Sequence, residues 1–273
     1  MQTLTQIKAM LESHGLSPRH ALGQNFLIDA NLLRKFVDAA SLAPGQTVLE
    51  VGPGTGTLTE ALLDRGCKVV AAEMDAGLAA LLRERLGGNE RFTLVEGDCL
   101  ASKREINPAL LAALGEGEFV LVANLPYGAA TPLIACLLAD VPRCRGLYVT
   151  VQRELADRIV APPGGRDYGP ISVLAQATAR CGLIARLSPE CFWPRPEVHS
   201  AMVSMERLDT PLSPDPGGLA RFCQKVFEKR RKQLGAVLGR DVPWPEGVRG
   251  EDRAEALSVA QLIALHAVAA DRV

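Results

Sequence analysis

Apolar residues recur every three or four positions in two stretches near the start of the chain. Leu4, Ile7 and Leu11 share one helical face, which stops at Gly15. Leu32, Leu33, Phe36 and Val37 share another, with Asp29 placed to cap that helix. Between them Ser17–Leu27 shows no period and reads as a loop. From residue 47 the pattern changes to short β-rich runs alternating with helical ones. The spacing predicts strands over Val48–Val51, Lys68–Ala72, Phe92–Val95, Phe119–Ala123 and Gly146–Val151. It predicts helices over Thr57–Arg65, Asp75–Leu86, Pro108–Leu114 and Thr131–Leu138, the last opening on an N-cap Thr followed by Pro. Such alternation implies a parallel sheet with right-handed crossovers. Next come a helix (Glu154–Val160), a Pro/Gly-rich loop (Pro162–Asp167) and a helix (Pro170–Ala179). Two strand-like runs, Leu183–Leu187 and Val198–Met205, then surround Phe192–Pro196. Three prolines and two glycines in Asp209–Gly218 mark a linker into a helical, basic tail. The expected organisation is an α/β domain over residues 1–208 and a small helical domain over 209–273.

Composition narrows the class. Of 273 residues, 48% are hydrophobic and 22% charged, which excludes disordered and fibrous chains. Thirty basic against 31 acidic residues exclude a uniformly basic coat, but the charges are segregated. Arg221–Arg240 holds seven bases and one acid, whereas Glu50–Asp98 holds nine acids and five bases. The uncharged run Phe119–Ala139 is broken by Asn124, Pro126, Gly128, Thr131 and Pro132, so no membrane span is expected. Lys8 and Glu12 near the start leave no apolar stretch for a secretory signal. Seven cysteines, odd in number and without a C-x-x-C, read as reduced thiols of a cytoplasmic protein. The four histidines (14, 20, 199 and 266) have no ligand spacing, and no metal site is expected.

The run Thr47–Glu60 reads as strand, glycine turn, helix. Gly52, Gly54 and Gly56 stand where the backbone must turn sharply or touch a ligand. The dinucleotide fingerprint fails because Thr57 and Thr59 stand near its third Gly, and no P-loop Lys follows. By itself the turn is compatible with a purely structural role. Two acids change that. Glu73 ends the second predicted strand of the sheet, 21 residues after Gly52, where a carboxylate can accept both ribose hydroxyls. Asp98 follows the third and can accept from an adenine amine. Both fall at the carboxyl edge of the sheet, where open α/β folds bind ligands. Adenosine recognition without a phosphate cradle fits S-adenosylmethionine.

The fourth strand of the sheet ends Asn124-Leu125-Pro126-Tyr127. Asn124 offers an amide oxygen, Pro126 orients the Leu125 carbonyl, and Tyr127 offers a stacking face. The set suits an exocyclic aromatic amine: accepting its N–H protons aims the nitrogen lone pair at a methyl group. Catalysis would rest on positioning and dipolar stabilisation. Phe192, braced by Pro194 and Pro196, is either a second face of a base sandwich or a buried core residue.

These motifs closely resemble the KsgA-type small-subunit ribosomal RNA adenine N6,N6-dimethyltransferases, from about Arg19 to the last helix. The matching residues are Leu22-Gly23-Gln24-Asn25-Phe26-Leu27, the glycine turn, Glu73, Asp98, Asn124–Tyr127, Gln152-Arg153-Glu154 with Arg158, Tyr168-Gly169, and Ser172-Val173. Phe192–Pro196, Phe227 with Arg230-Arg231-Lys232, and Arg253–Ser258 complete them. The resemblance implies a Rossmann-like methyltransferase sheet with a C-terminal helical domain. It implies S-adenosylmethionine contacts from Asn25, Leu27, Gly52, Gly54, Glu73, Asp98 and Asn124. It further implies catalysis by Asn124, Leu125, Pro126, Tyr127 and Phe192, and RNA contacts from Arg230, Arg231 and Lys232. The expected substrate is 16S rRNA in a pre-ribosomal 30S particle, and the expected protein is a monomer. Gly128-Ala129-Ala130 depart from the Asn-Ile-Ser that usually follows the tetrad. Arg153 replaces a usual Lys, and Gly235-Ala236 a more polar pair. Alternatives are a large-subunit rRNA adenine methyltransferase of the antibiotic-resistance type and a non-catalytic RNA-binding relative; a dehydrogenase is remote.

Overall fold

The structure, a computed structural model, describes residues 2–272. In chain order it comprises α1 (Leu4–Ser13), β1 (Phe26–Leu27), α2 (Ala30–Ala39), β2 (Thr47–Val51), α3 (Thr57–Asp64), β3 (Lys68–Glu73), α4 (Ala76–Leu86) and β4 (Phe92–Glu96). Then come β5 (Leu100–Ser102), β6 (Glu105–Ile106), α5 (Pro108–Leu114), β7 (Phe119–Asn124), α6 (Tyr127–Asp140), β8 (Cys144–Gln152), α7 (Arg153–Ile159) and α8 (Pro170–Thr178). The chain closes with β9 (Ala179–Leu187), β10 (Phe192–Trp193), β11 (Ser200–Arg207), α9 (Pro216–Glu228), α10 (Leu234–Leu238) and α11 (Val259–Ala269).

Seven strands form one sheet in the order β4-β3-β2-β7-β8-β11-β9. The first five are parallel, and β11 runs antiparallel between β8 and β9. The parallel strands are largely apolar, with buried Glu50 the exception in β2, because helices cover both faces. Leu49, Val51, Leu121 and Val149 pack toward α5–α8, while Val48, Val69, Val122 and Tyr148 pack toward α2 and α3. The chain steps outward from β2 to β4, then returns to place β7 on the other side of β2. That reversal opens a crevice between the carboxyl ends of β2 and β7.

The capping expectation for Asp29 holds: its side chain accepts from the Asn31 and Leu32 N–H groups. Three expectations need correction. First, α6 begins at Tyr127 rather than Thr131, with Pro126 at its N-cap and Pro132 inside it. Thr131-Pro132 mimics a helix start. The cost of Pro132 is one intrahelical donor for the Gly128 carbonyl, and Gly128 is exposed, where water can reach it. Second, residues 26–27 are not loop: β1 pairs antiparallel with β10, placing Phe26 opposite Trp193 and Leu27 opposite Phe192. Third, the linker stops short of Gly218, because Asp215 caps α9 and Pro216 opens it. The buried Arg207 guanidinium donates to the carbonyls of Leu137, Leu138, Val141 and Cys144. It thereby satisfies the otherwise unpaired C-terminus of α6 and ties β11 to it. The C-terminal helices share a core with α8: Val173 and Ala177 pack with Leu219, Phe222, Leu262 and Leu265.

Candidate active site

A cavity of about 730 Å³ opens at the carboxyl ends of β2, β3, β4 and β7. Asn25, Leu27, Gly52, Gly54, Glu73, Asp98, Asn124, Pro126 and Tyr127 all line it. Gly52, Gly54, Glu73, Asp98, Asn124, Pro126 and Tyr127 meet here because each follows or ends a strand on the same sheet edge, while Asn25 and Leu27 come from the N-terminal segment laid over it. Two candidates lie elsewhere. The Leu125 side chain is buried in the core, and its N–H donates to the Thr150 carbonyl at 3.1 Å. Phe192 is also buried, packed with Leu27, Leu187 and Met202 behind the cavity.

The glycine turn is shaped to bring backbone close to a ligand. Gly52 has φ +70° and Gly54 φ +61°. A Cβ at Gly52 would meet the Pro126 ring at 3.1 Å, so this turn and the tetrad are packed against each other. A Cβ at Gly54 would meet Phe26 at 2.7 Å. Phe26 in turn stacks on Trp193, ring centroids 6.2 Å apart.

Glu73 is buried, and its two oxygens accept from the Gly54 N–H at 3.3 Å and the Asp75 N–H at 2.9 Å. Burial pushes its carboxyl up, and those bonds only partly oppose this. Asp98 uses one oxygen on the Leu100 N–H at 2.9 Å and is otherwise exposed. Asn124 donates its Nδ2 to the Asn25 carbonyl at 2.8 Å. This fixes the amide so that Oδ1 is the end available to a ligand. Tyr127 holds its ring at the wall through a 2.7 Å bond between its hydroxyl and Ser200 Oγ.

Three further residues matter that the motifs did not single out: Asp75, Ser200 and Glu50. Gln24 donates to buried Asp75 at 3.0 Å, and Arg19 approaches the same oxygen at 3.3 Å, pinning the N-terminal loop over the β3 end. Burial would raise the Asp75 carboxyl, but hydrogen bonds from Leu78, Gln24 and Gly77, with Arg19 nearby, hold it below its ordinary value. Ser200 anchors Tyr127, a pairing invisible without the β11 register. The third is Glu50, on the cavity wall and fully buried. Burial first, and then the Glu73 charge, push its carboxyl to about 8, against a 2.7 Å bond from Thr59. A buried acid inside an otherwise apolar strand was the available signal.

The Glu50 shift has a stability consequence. Between its ordinary value of 4.5 and about 8, the folded chain holds a proton that the unfolded chain releases. Stability therefore falls as pH rises through that window. Glu50→Gln, which still accepts from Thr59, should flatten that part of the profile. Thermal melts should show the variant gaining on wild type from pH 5 to pH 8; parallel profiles would remove Glu50 as the titrating group.

The basic run 229–232 lies on the turn between α9 and α10, not on a helix face. Arg231 and Lys232 are exposed there. Arg230 is engaged: it pairs with Glu255 at 2.6 Å and donates to the Arg166 carbonyl at 3.2 Å. Arg166 lines a smaller groove, about 480 Å³, that shares Gln152, Glu197 and Val198 with the main cavity. No cluster of His, Cys, Asp and Glu able to hold a metal occurs among the described residues. No helix among them is long and apolar enough to cross a membrane.

The sheet order, the glycine turn after β2, the acids at the ends of β2 and β3 and after β4, and the polar tetrad after β7 define a Rossmann-like methyltransferase that takes S-adenosylmethionine. A sequence model of the ribosomal RNA adenine dimethylases matches residues 15–271, and the chain belongs to that family. The ribosomal RNA small subunit methyltransferase A of Moorella thermoacetica is 39% identical over 238 residues, covering 85% of this chain and 82% of its own. Among solved structures, a dimethyladenosine transferase from Plasmodium falciparum superposes with TM-score 0.73 at 22% identity, over 88% of this chain and 95% of its own. The 23S rRNA methyltransferase ErmE gives TM-score 0.68 at 26% identity, over 88% of this chain and 98% of its own.

Proposed function

We propose that this enzyme transfers methyl groups from S-adenosylmethionine to the N6 amines of two adjacent adenosines near the 3′ end of small-subunit rRNA, within a pre-ribosomal 30S particle. The observation that carries this reading is the Asn124 amide, anchored through Nδ2 so that its oxygen serves the cavity. The small-subunit relatives at about this chain's own length support the substrate assignment.

The cavity fits the donor. Gly52 and Gly54 line the cavity with bare backbone packed against Pro126 and Phe26, and Glu73 and Asp98 offer acceptors for ribose and adenine. Glu73 and Asp98 also favour a cation over a phosphate. Bound there, S-adenosylmethionine supplies an electrophilic methyl whose sulfonium leaves as a neutral thioether. Asn25 and Leu27 close the N-terminal side of the site. Asn124 Oδ1 accepts an N6 proton of the target adenine and orients the nitrogen lone pair. The Leu125 carbonyl accepts a hydrogen bond from the second N–H, and Pro126 fixes its direction. Tyr127, held by Ser200, stacks on the base. Phe192 supports the wall through Leu27. The newly methylated nitrogen then gives up a proton to water, and no strong base is needed before attack.

Residues 209–273 serve as an RNA-holding unit, with Arg231 and Lys232 on phosphates and Arg230 joining that surface to the Arg166 loop. Arg231→Ala with Lys232→Ala should weaken RNA binding and reduce the slope of affinity against salt by about 1–2. Donor binding should not change; an unchanged salt slope would make the turn a solvated surface only. The protein acts as a cytoplasmic monomer. Methyl transfer from labelled donor to under-methylated small subunits tests the assignment, with large subunits as the competing substrate. Label on the small subunit is expected; label only on the large subunit would favour the antibiotic-resistance type.

A further inference from the structure

We propose that Gln2 is a positioning residue of the methyl-donor site, acting through the glycine turn; this rests on the placement of the donor in the cavity described above. Gln2 lies outside the segment matched by the family model, and it is buried. Its amide reaches across to the turn between β2 and α3. Nε2 donates to the Thr55 carbonyl at 3.0 Å and to Glu60 at 3.3 Å. Oε1 accepts from the hydroxyls of Thr55 at 2.8 Å and Thr57 at 2.9 Å. Two donors and two acceptor sites are the full capacity of a primary amide, and all are filled. Arg85 completes the cluster, donating to the Thr55 carbonyl and pairing with Glu60.

The target of these bonds is what gives them meaning. Thr55 and Thr57 both line the cavity, on either side of Gly56, which has φ +84°. A glycine turn has few side chains to hold its shape, and its backbone conformations are those least constrained by sterics. Gln2 fixes three of its polar groups at once from behind. It thus sets the backbone against which the donor lies without touching the donor. The same amide holds the start of α1, so the role must be separated from simple helix anchoring.

Thr3 provides that separation. It caps α1 by accepting from the Gln6 N–H, and its own N–H donates to the Gln6 side chain at 2.7 Å, with no contact to the turn. The experiment uses the full chain with a free N-terminus, calorimetric titration with S-adenosylmethionine, and steady-state methyl transfer to small subunits. Gln2→Ala should raise the donor Kd and KM about tenfold, the effect of losing one or two net hydrogen bonds. The kcat at saturating donor and RNA should be unchanged. Gln2→Met keeps the bulk but removes every donor and acceptor, and should weaken donor binding about as much as Gln2→Ala. It also serves if Gln2→Ala does not fold. Thr3→Ala should bind donor as wild type does. The proposal is overturned if the Gln2 variants bind donor normally while Glu73→Gln binds it weakly. It is equally overturned if Thr3→Ala matches Gln2→Ala, which would make Gln2 a helix anchor. If Glu73→Gln also binds normally, the donor site itself is misplaced and the proposal falls with it.

Discussion

Asn124→Ala should lose about 10²–10³ in turnover while still binding S-adenosylmethionine and RNA. The magnitude follows the loss of one preorganised hydrogen-bonding group aimed at developing charge. The Asn124 oxygen gains most as positive charge builds on the attacking nitrogen, so its removal lowers kcat rather than substrate affinity. Its orientation comes from the 2.8 Å bond to the Asn25 carbonyl, which the variant deletes without burying a charge or opening a core cavity. The second transfer, onto an amine with one N–H left, should depend more on stacking by Tyr127. Single-turnover assays that resolve mono- from dimethyladenosine would show this. Near-normal first-methyl turnover in the variant would remove Asn124 from the mechanism.

Gly54→Ala should cost donor affinity at least tenfold and reduce the rise in Tm on adding donor. At φ +61° any residue with a Cβ sits in a left-handed conformation, a strain of roughly 1–2 kcal/mol. The new methyl would also stand 2.7 Å from Phe26. Phe26 cannot swing away freely, since it is buried with Ile7, Leu11 and Leu78 and stacked on Trp193. Either the turn or the aromatic pair must move, and both wall the same cavity. A free protein that relieves this strain by moving the turn must restore it to bind donor, and since 1.4 kcal/mol is about a factor of ten, that reorganisation accounts for the minimum expected loss. Calorimetry and donor-dependent melting would measure it; a variant with wild-type affinity would mean that Gly54 backbone is not part of the donor surface.

The parallel strands were legible because strands buried on both faces are largely apolar runs, interrupted in β2 only by Glu50, and Glu73, Asp98 and Asn124 stand out as polar groups where those runs stop. Local pattern misplaced the start of α6, because Thr131-Pro132 carries the chemistry of a helix N-terminus while packing below the sheet extends the helix back to Tyr127. The β1–β10 pair is two residues long on each side, too short for any period to show. Its register nonetheless decides that Phe192 faces the core. Likewise the basic run looked uniform, but Glu255 engages Arg230 and leaves Arg231 and Lys232 exposed. Partners distant in sequence, rather than local propensity, settle each of these cases.

The most direct test of the central claim is mass spectrometry of rRNA fragments after under-methylated small subunits are incubated with the protein and S-adenosylmethionine. The account predicts N6,N6-dimethyladenosine at two neighbouring positions of one fragment near the 3′ end, and none when Asn124 is Ala over the same period. Methylation of another atom, of a single isolated adenosine, or equal modification by the Asn124 variant would contradict it.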